Sequence, residues 1–260
     1  MTLLRFGIEQ LTNYINWIYF YHTWGIKESN ASEIRLEADS ILKKWCTEKK
    51  EVLFGVYIAL ANSSGEDIIL HKEQDDGLLT IPLLRQQHPP FLCLSDFLPP
   101  TCMHAEKIGV FASTVPFQVE GLLEQTLADR LAEAAAELGH EIVRKQIWAY
   151  APDEKLSIQE LFAEHYQGKR PAVGYPSLPD QSLNFVLADI LKFEDIGIRL
   201  TESGAMIPHA STSGLMIAHP KCCHFKVGEI GIDQLENYAR RRNMEVEKLT
   251  RFLPVAPVKK

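Results

Sequence analysis

The chain has 260 residues, 46% of them hydrophobic and 23% charged, enough apolar content to bury a sizeable core. A formal charge of −7 argues against a surface built to neutralise phosphates, so nucleic-acid binding is not expected. The N-terminus lacks a basic start followed by an apolar run, no stretch approaches the roughly 20 apolar residues that span a bilayer, and Cys46, Cys93, Cys102, Cys222 and Cys223 form neither an even framework nor paired C-x-x-C units. The expectation is a cytoplasmic chain without membrane attachment, disulfide scaffold or zinc ribbon.

No internal repeat or low-complexity tract divides the chain, so residues 1–260 read as one unit. An aromatic segment from Ile15 to Gly25 has irregular spacing and reads as core or docking surface. Ile34, Ala38, Ile41 and Leu42 recur at helical intervals and predict an amphipathic helix over Glu33 to Lys44. The period then changes. Val52 to Leu60 and Asp67 to His71, separated by N-S-S-G, predict an antiparallel hairpin. Two further strands are expected at Phe91 to Phe97 and Ile108 to Val115, divided by the loop at Pro99-Pro100-Thr101.

Leu127, Leu131, Ala134, Leu138 and Ile142 line one side of a long helix predicted over Leu123 to Ile147. At about 100° per residue, Glu133, Glu137, His140 and Arg144 fall on its opposite, polar side. Ser157 opens S-I-Q-E, a capping box that predicts a helix to Tyr166. Glycine and proline then crowd Gly168 to Pro179, more irregular backbone than a connector needs and a candidate for ligand contact. A helix over Asn184 to Lys192 follows, then an irregular stretch from Gly204 to Gly214. Leu215 to Ala218 and Phe225 to Ile230 are expected to pair as strands across His219-Pro220. Asp233 is the expected N-cap of a helix containing Leu235, Tyr238 and Ala239, with a short helix over Glu245 to Phe252 after it.

Common chemical signatures are missing. The sequence contains no G-x-G-x-x-G, P-loop, H-E-x-x-H or G-x-S-x-G pattern, so dinucleotide, kinase, zinc-protease and serine-hydrolase chemistry have no support. His219, Cys222, Cys223 and His224 have metal-ligand chemistry. Adjacent cysteines on a strand point to opposite faces, however, so hairpin packing is expected there and no metal site.

One segment is distinctive: Arg170-Pro171-Ala172-Val173-Gly174-Tyr175-Pro176, followed by Pro179. Around it, in order, stand I-N-W and T-W-G near the start, L-R-Q-Q at Leu84 to Gln87, C-L-S-D-F at Cys93 to Phe97, and A-D-R-L-A-E-A at Ala128 to Ala134. Y-A-P and Y-Q-G precede the segment. T-E-S-G-A-M-I-P-H-A-S-T-S-G at Thr201 to Gly214 and D-Q-L-E-N-Y-A-R-R-R at Asp233 to Arg242 follow it. These blocks, in this order and over nearly the whole chain, resemble the S-adenosylmethionine-binding activation domain of cobalamin-dependent methionine synthase.

The resemblance implies an α+β fold: a C-shaped domain with a twisted antiparallel sheet and flanking helices, carrying S-adenosylmethionine in a shallow groove. It places Asp96, Glu133, Arg170, Ala172, Gly174 and Tyr175 at that ligand, with His224 and Phe225 standing where the family has two tyrosines. Ala205, Met206, Ile207, Pro208, Ser211 and Ser213 would face the corrin. This agrees with the ligand's chemistry. Asp96 and Glu133 suit its cationic groups, Arg170 its carboxylate, and Tyr175 offers a wall or a hydroxyl. The chain departs from the family signature at Ser177-Leu178-Pro179-Asp180-Gln181, and it is shorter than the family between Val115 and Leu127.

The implied role is re-methylation of a cobalamin that has oxidised to the cob(II)alamin state, with an electron donor such as flavodoxin. The protein contributes positioning rather than an acid or base. There is no D-x-H-x-x-G cobalamin signature, so the corrinoid is expected on a partner, a cobalamin-binding methionine synthase chain. The alternatives are a non-catalytic S-adenosylmethionine-sensing or scaffolding module, and a reactivator of a different corrinoid methyltransferase.

Overall fold

A computed structural model describes residues 1–71 and 77–254. In chain order it contains β1 (Thr2–Gly7), α1 (Ile8–Leu11), α2 (Trp17–Thr23), α3 (Ser32–Thr47), β2 (Glu51–Ser64), β3 (Asp67–His71), β4 (Leu78–Pro82), β5 (Glu106–Thr114) and α4 (Gly121–Ile142). Then come α5 (Ile158–Phe162), α6 (Leu183–Leu191), β6 (Arg199–Leu200), β7 (Met206–Ile207), β8 (Ser211–Met216), α7 (Ile232–Arg242) and α8 (Val246–Leu249).

The main sheet is antiparallel, ordered β4-β3-β2-β5-β8, with β1 also on β2. Strand β2 is long enough to take β1 along its first half and β3 along its second. Alternation assigns its faces. Val52, Phe54 and Val56 join a core with Phe111, Leu127, Leu131 and Ala135 under α1 to α4. Ala59 and Ala61 join Val110, Ala112, Leu187 and Leu215 under α6. With both faces covered, β2 reads as a nearly continuous apolar run, as doubly buried strands do.

Helix α3, the β2–β3 hairpin, β5, α6 and the terminal helices lie where periodicity places them, and the Ser157 capping box forms around α5. Other expectations need correction. No strand forms over Phe91 to Phe97. Leu94–Phe97 is a 3-10 turn, Phe91 has φ 59°, and the Asp96 carboxylate accepts the Cys93 N–H at 2.8 Å. That local bond offers the backbone a partner in place of a ladder.

Nor do residues 215–218 pair with 225–230. Strand β8 takes the open edge of β5, from Gly109↔Met216 to Thr114↔Ser211, so the stretch expected to be irregular contains β7 and most of β8. Residues 225–230 hold by single bonds instead, with Val227 N–H on the Pro176 carbonyl and Gln86 Nε2 on the Lys226 carbonyl, both at 2.9 Å. The N-cap of α7 is Gly231, with Asp233 in the first turn, and α5 ends at Phe162, short of Tyr166.

The polar side of α4 is the largest departure. His140 and Arg144 are fully buried, and α4 passes into a π-helical turn over Val143–Ile147. Arg144 donates to both Glu154 oxygens, at 2.7 and 2.9 Å, with its guanidinium 4.0 Å over the Tyr166 ring. Burial, then Arg170, Arg144 and Lys169, push the His140 pKa well down, so the imidazole is neutral. The polar side of α4 is in this part a buried polar layer behind the groove.

Candidate functional site

A cavity of about 270 Å³ opens between α4 and the segment 170–175. Segment 168–174 crosses the outer edge of β8 as a partial extra strand, through bridges Lys169↔Ile217 and Ala172↔Gly214. Leu215 N–H reaches the Pro171 carbonyl at 3.0 Å and Val173 N–H the Ser213 carbonyl at 2.9 Å. Gly214 permits this approach: a Cβ there would overlap the Pro171 carbonyl oxygen and press on Ala172 and Phe111. Asp180 anchors the end of the segment. Fully buried, it accepts from Ser182 N–H and Tyr238 Oη and faces Arg242 of α7.

Arg130, Glu133 and Glu137 of α4 share one helical face and form one wall of the cavity. Arg170, Pro171, Ala172 and Tyr175 form the facing wall, over Phe111 and Thr212 from the sheet. Leu161, Phe162, Glu164 and His224, with Tyr14, Asn16 and Tyr19, complete the lining.

Arg170 is the best-defined charge in it. Its Nη2 donates to Glu137 Oε2 at 3.2 Å, both side chains are almost buried, and its guanidinium lies 5.8 Å over the Phe111 ring. Burial works against the charge, but Glu137, Tyr166 and Glu133 more than offset it and raise the pKa, so Arg170 is a fixed cation. Tyr175 is half-exposed, with Oη 3.4 Å from Glu133 Oε1; Glu133, then burial, raises its pKa and keeps the phenol protonated. His224 Nε2 lies 2.9 Å from Glu164 Oε2. Burial opposes ionisation of Glu164, yet His224 and Lys169 hold its pKa down at about 2.

The structure thus gathers Glu133, Arg170, Ala172, Tyr175 and His224 about one cavity. Asp96 is elsewhere: Arg85 donates to its two oxygens, each at 2.7 Å, and Cys93 N–H completes the turn. Its side chain is 34% exposed, and it is not among the residues lining the cavity. Gly174, at φ 88°, serves the turn in which its N–H meets the Leu178 carbonyl at 2.8 Å, and Phe225 packs against two apolar clusters. Neither lines the cavity. Of the residues expected to face a corrin, Ala205 and Ile207 are exposed, and Met206, Pro208 and Ser211 are half-buried. Ser213 is buried and donates to Asn184 Oδ1 at 2.6 Å, so it faces inward.

Asn16, Arg130, Glu137 and Glu164 are wall residues that the sequence reading left out. Each had a signal. Asn16 is the middle of I-N-W, Arg130 lies in A-D-R-L-A-E-A, Glu137 follows Glu133 by one helical turn, and Glu164 shortly precedes Y-Q-G.

Among the described residues, no three or more His, Cys, Asp or Glu side chains are placed to hold a metal ion, and no helix is long and apolar enough to cross a membrane. His219 to His224 forms no hairpin, with Cys222 buried and Cys223 exposed.

Residues 7–243 match the family model described as the vitamin B12 dependent methionine synthase, activation domain. The chain is also similar to a crystal structure of the MetH reactivation domain bound to AdoHcy. The TM-score is 0.87 and the identity 34%, over 98% of this chain and 91% of that one. At that coverage the likeness includes the sheet, the flanking helices and the segment over β8, and the chain belongs to the family of vitamin B12 dependent methionine synthase activation domains.

Proposed function

We propose that the cavity binds S-adenosylmethionine and that the chain serves to reactivate a cobalamin-dependent methionine synthase. One observation carries this reading. A fixed cation, Arg170, and carboxylates Glu133 and Glu137 meet in one cavity with exposed Tyr175, a set complementary to a ligand with a carboxylate, an ammonium and a sulfonium. The related structure is bound to AdoHcy, the same skeleton without its methyl group.

The residues present fit such a ligand. Arg170 Nη1, Arg130 Nε and Glu137 Oε1 are buried without a partner among the described residues, and buried polar groups need one. Arg170 would take the carboxylate, Glu133 the cationic end, and Ala172 offers backbone to the adenosine. Tyr175 and His224 flank the mouth. Bound there, S-adenosylmethionine supplies an activated methyl group to the cobalt of a corrinoid. The chain's own residues do the positioning: they orient the ligand and shield it from water while a partner presents the acceptor.

The partner in this reading is a cobalamin-binding methionine synthase chain, with a flavodoxin-like electron donor. It docks near the exposed Ala205 and Ile207. The five unpaired thiols suit a reducing cytoplasm, and residues 1–260 act as one unit. The test mixes this chain with a cobalamin-loaded methionine synthase fragment, a reductant and methyl-labelled S-adenosylmethionine. Label should reach the corrinoid only when all are present; transfer at the same rate without this chain would refute the role.

A further inference from the structure

We propose that Glu137 is a positioning residue for the charged end of the ligand, holding one edge of the Arg170 guanidinium so that the other edge serves the carboxylate. The inference rests on the S-adenosylmethionine reading and extends it to a residue whose effect passes through another.

The geometry supports it in steps. Glu133 and Glu137 lie one turn apart on α4, so both carboxylates reach the same face. They are used differently. Glu133 Oε1 meets the half-exposed Tyr175 hydroxyl, whereas Glu137 Oε2 meets Arg170 Nη2 in a pair whose side chains are 12% and 13% exposed. A guanidinium presents donors in a rigid planar fork, so one bond to Glu137 together with Phe111 beneath the plane restricts its rotation. The pair is monodentate. Arg170 Nη1 and Glu137 Oε1 are each buried and unmatched, a donor and an acceptor on opposite charges. A ligand end bearing both a carboxylate and an ammonium supplies both missing partners; adenosine, which has neither, supplies none.

Two other roles make different predictions. If Glu137 only neutralised a buried cation, its loss would lower stability and weaken every ligand alike. If it competed with the ligand for Arg170, its loss would tighten binding. A positioning role predicts selective weakening.

The experiment compares Glu137→Gln with wild type, titrating S-adenosylmethionine and, separately, adenosine, with thermal melts of both proteins. Glutamine keeps the size and one acceptor but removes the charge. The expected result is at least a tenfold rise in Kd for S-adenosylmethionine with adenosine changed less than twofold. The melting temperature falls somewhat, because Arg170 loses its charged partner, and the split between the two ligands is what separates positioning from neutralisation. Glu137→Ala serves if the glutamine variant does not fold, and should show the same split. Equal weakening of both ligands, no change, or tighter binding would overturn the proposal. No binding of S-adenosylmethionine by wild type would instead overturn the reading beneath it.

Discussion

Arg170→Ala is expected to raise the Kd for S-adenosylmethionine by a factor of roughly 10 to 150, because a hydrogen bond to a charged group contributes about 1.5–3 kcal/mol. Truncation also strands Glu137, whose one side-chain hydrogen bond among the described residues is to Arg170, and an unpaired buried charge lowers stability. Arg170→Lys separates these effects. A lysine keeps the positive charge, and hence much of the stability, but cannot reproduce the planar fork that serves Glu137 and a carboxylate together. Titration calorimetry and thermal melts should show weak binding in both variants and near-normal melting only for lysine. Wild-type affinity in Arg170→Lys would mean that charge suffices and the fork does not matter.

The second large effect is on stability. Arg144→Met should destabilise the fold by about 3–5 kcal/mol, the usual cost of breaking one side of a buried ion pair. Glu154 would lose both close bonds from Arg144 while its side chain is only 9% exposed. Tyr166 would lose the guanidinium stacked on it, along with support for the chain entering Gly168 and Arg170. The double substitution Arg144→Met with Glu154→Leu removes both charges and should recover much of the loss, since an apolar pair of similar size often replaces a buried ion pair without cost. Urea unfolding of the single and double variants measures this. A single variant as stable as wild type would show that the pair is not holding the π-helical turn in place.

Local periodicity carried most of the fold. The apolar stripe of α4, the hairpin around N-S-S-G and the amphipathic α3 are each dictated by neighbours a few residues away, and they lie where the pattern puts them. Residues 91–97 and 225–230 have strand-like composition, yet both pack without a ladder. Asp96 closes a turn on Cys93, and the edge of β5 is taken by residues 211–216. Composition describes a half-buried surface, but which edge a segment finds is decided by tertiary pairing.

The site was legible in the same partial way. The Gly/Pro-rich segment and Glu133 marked two facing walls, and the fold brings them together. The resemblance places Asp96 at the ligand; in the structure Arg85, itself in the L-R-Q-Q block, donates to both oxygens of that carboxylate, and Asp96 is not among the residues lining the cavity. The neutral Asn16, whose side chain caps α2, is one of the lining residues. Helical angle puts His140 and Arg144 on the polar side of α4 but does not show that they are buried. The elements covering them, from Tyr150 and Glu154 to Tyr166, come later in the chain and leave no trace in the helix's own pattern.

Everything functional depends on a zwitterionic sulfonium fitting between α4 and the segment laid on β8. Equilibrium titration of the wild-type chain with S-adenosylmethionine addresses that directly, with protection of the groove monitored by hydrogen exchange at residues 170–175. One molecule bound per chain, with slowed exchange in that segment, is the predicted result. Saturating ligand that produces neither heat nor protection there would contradict it.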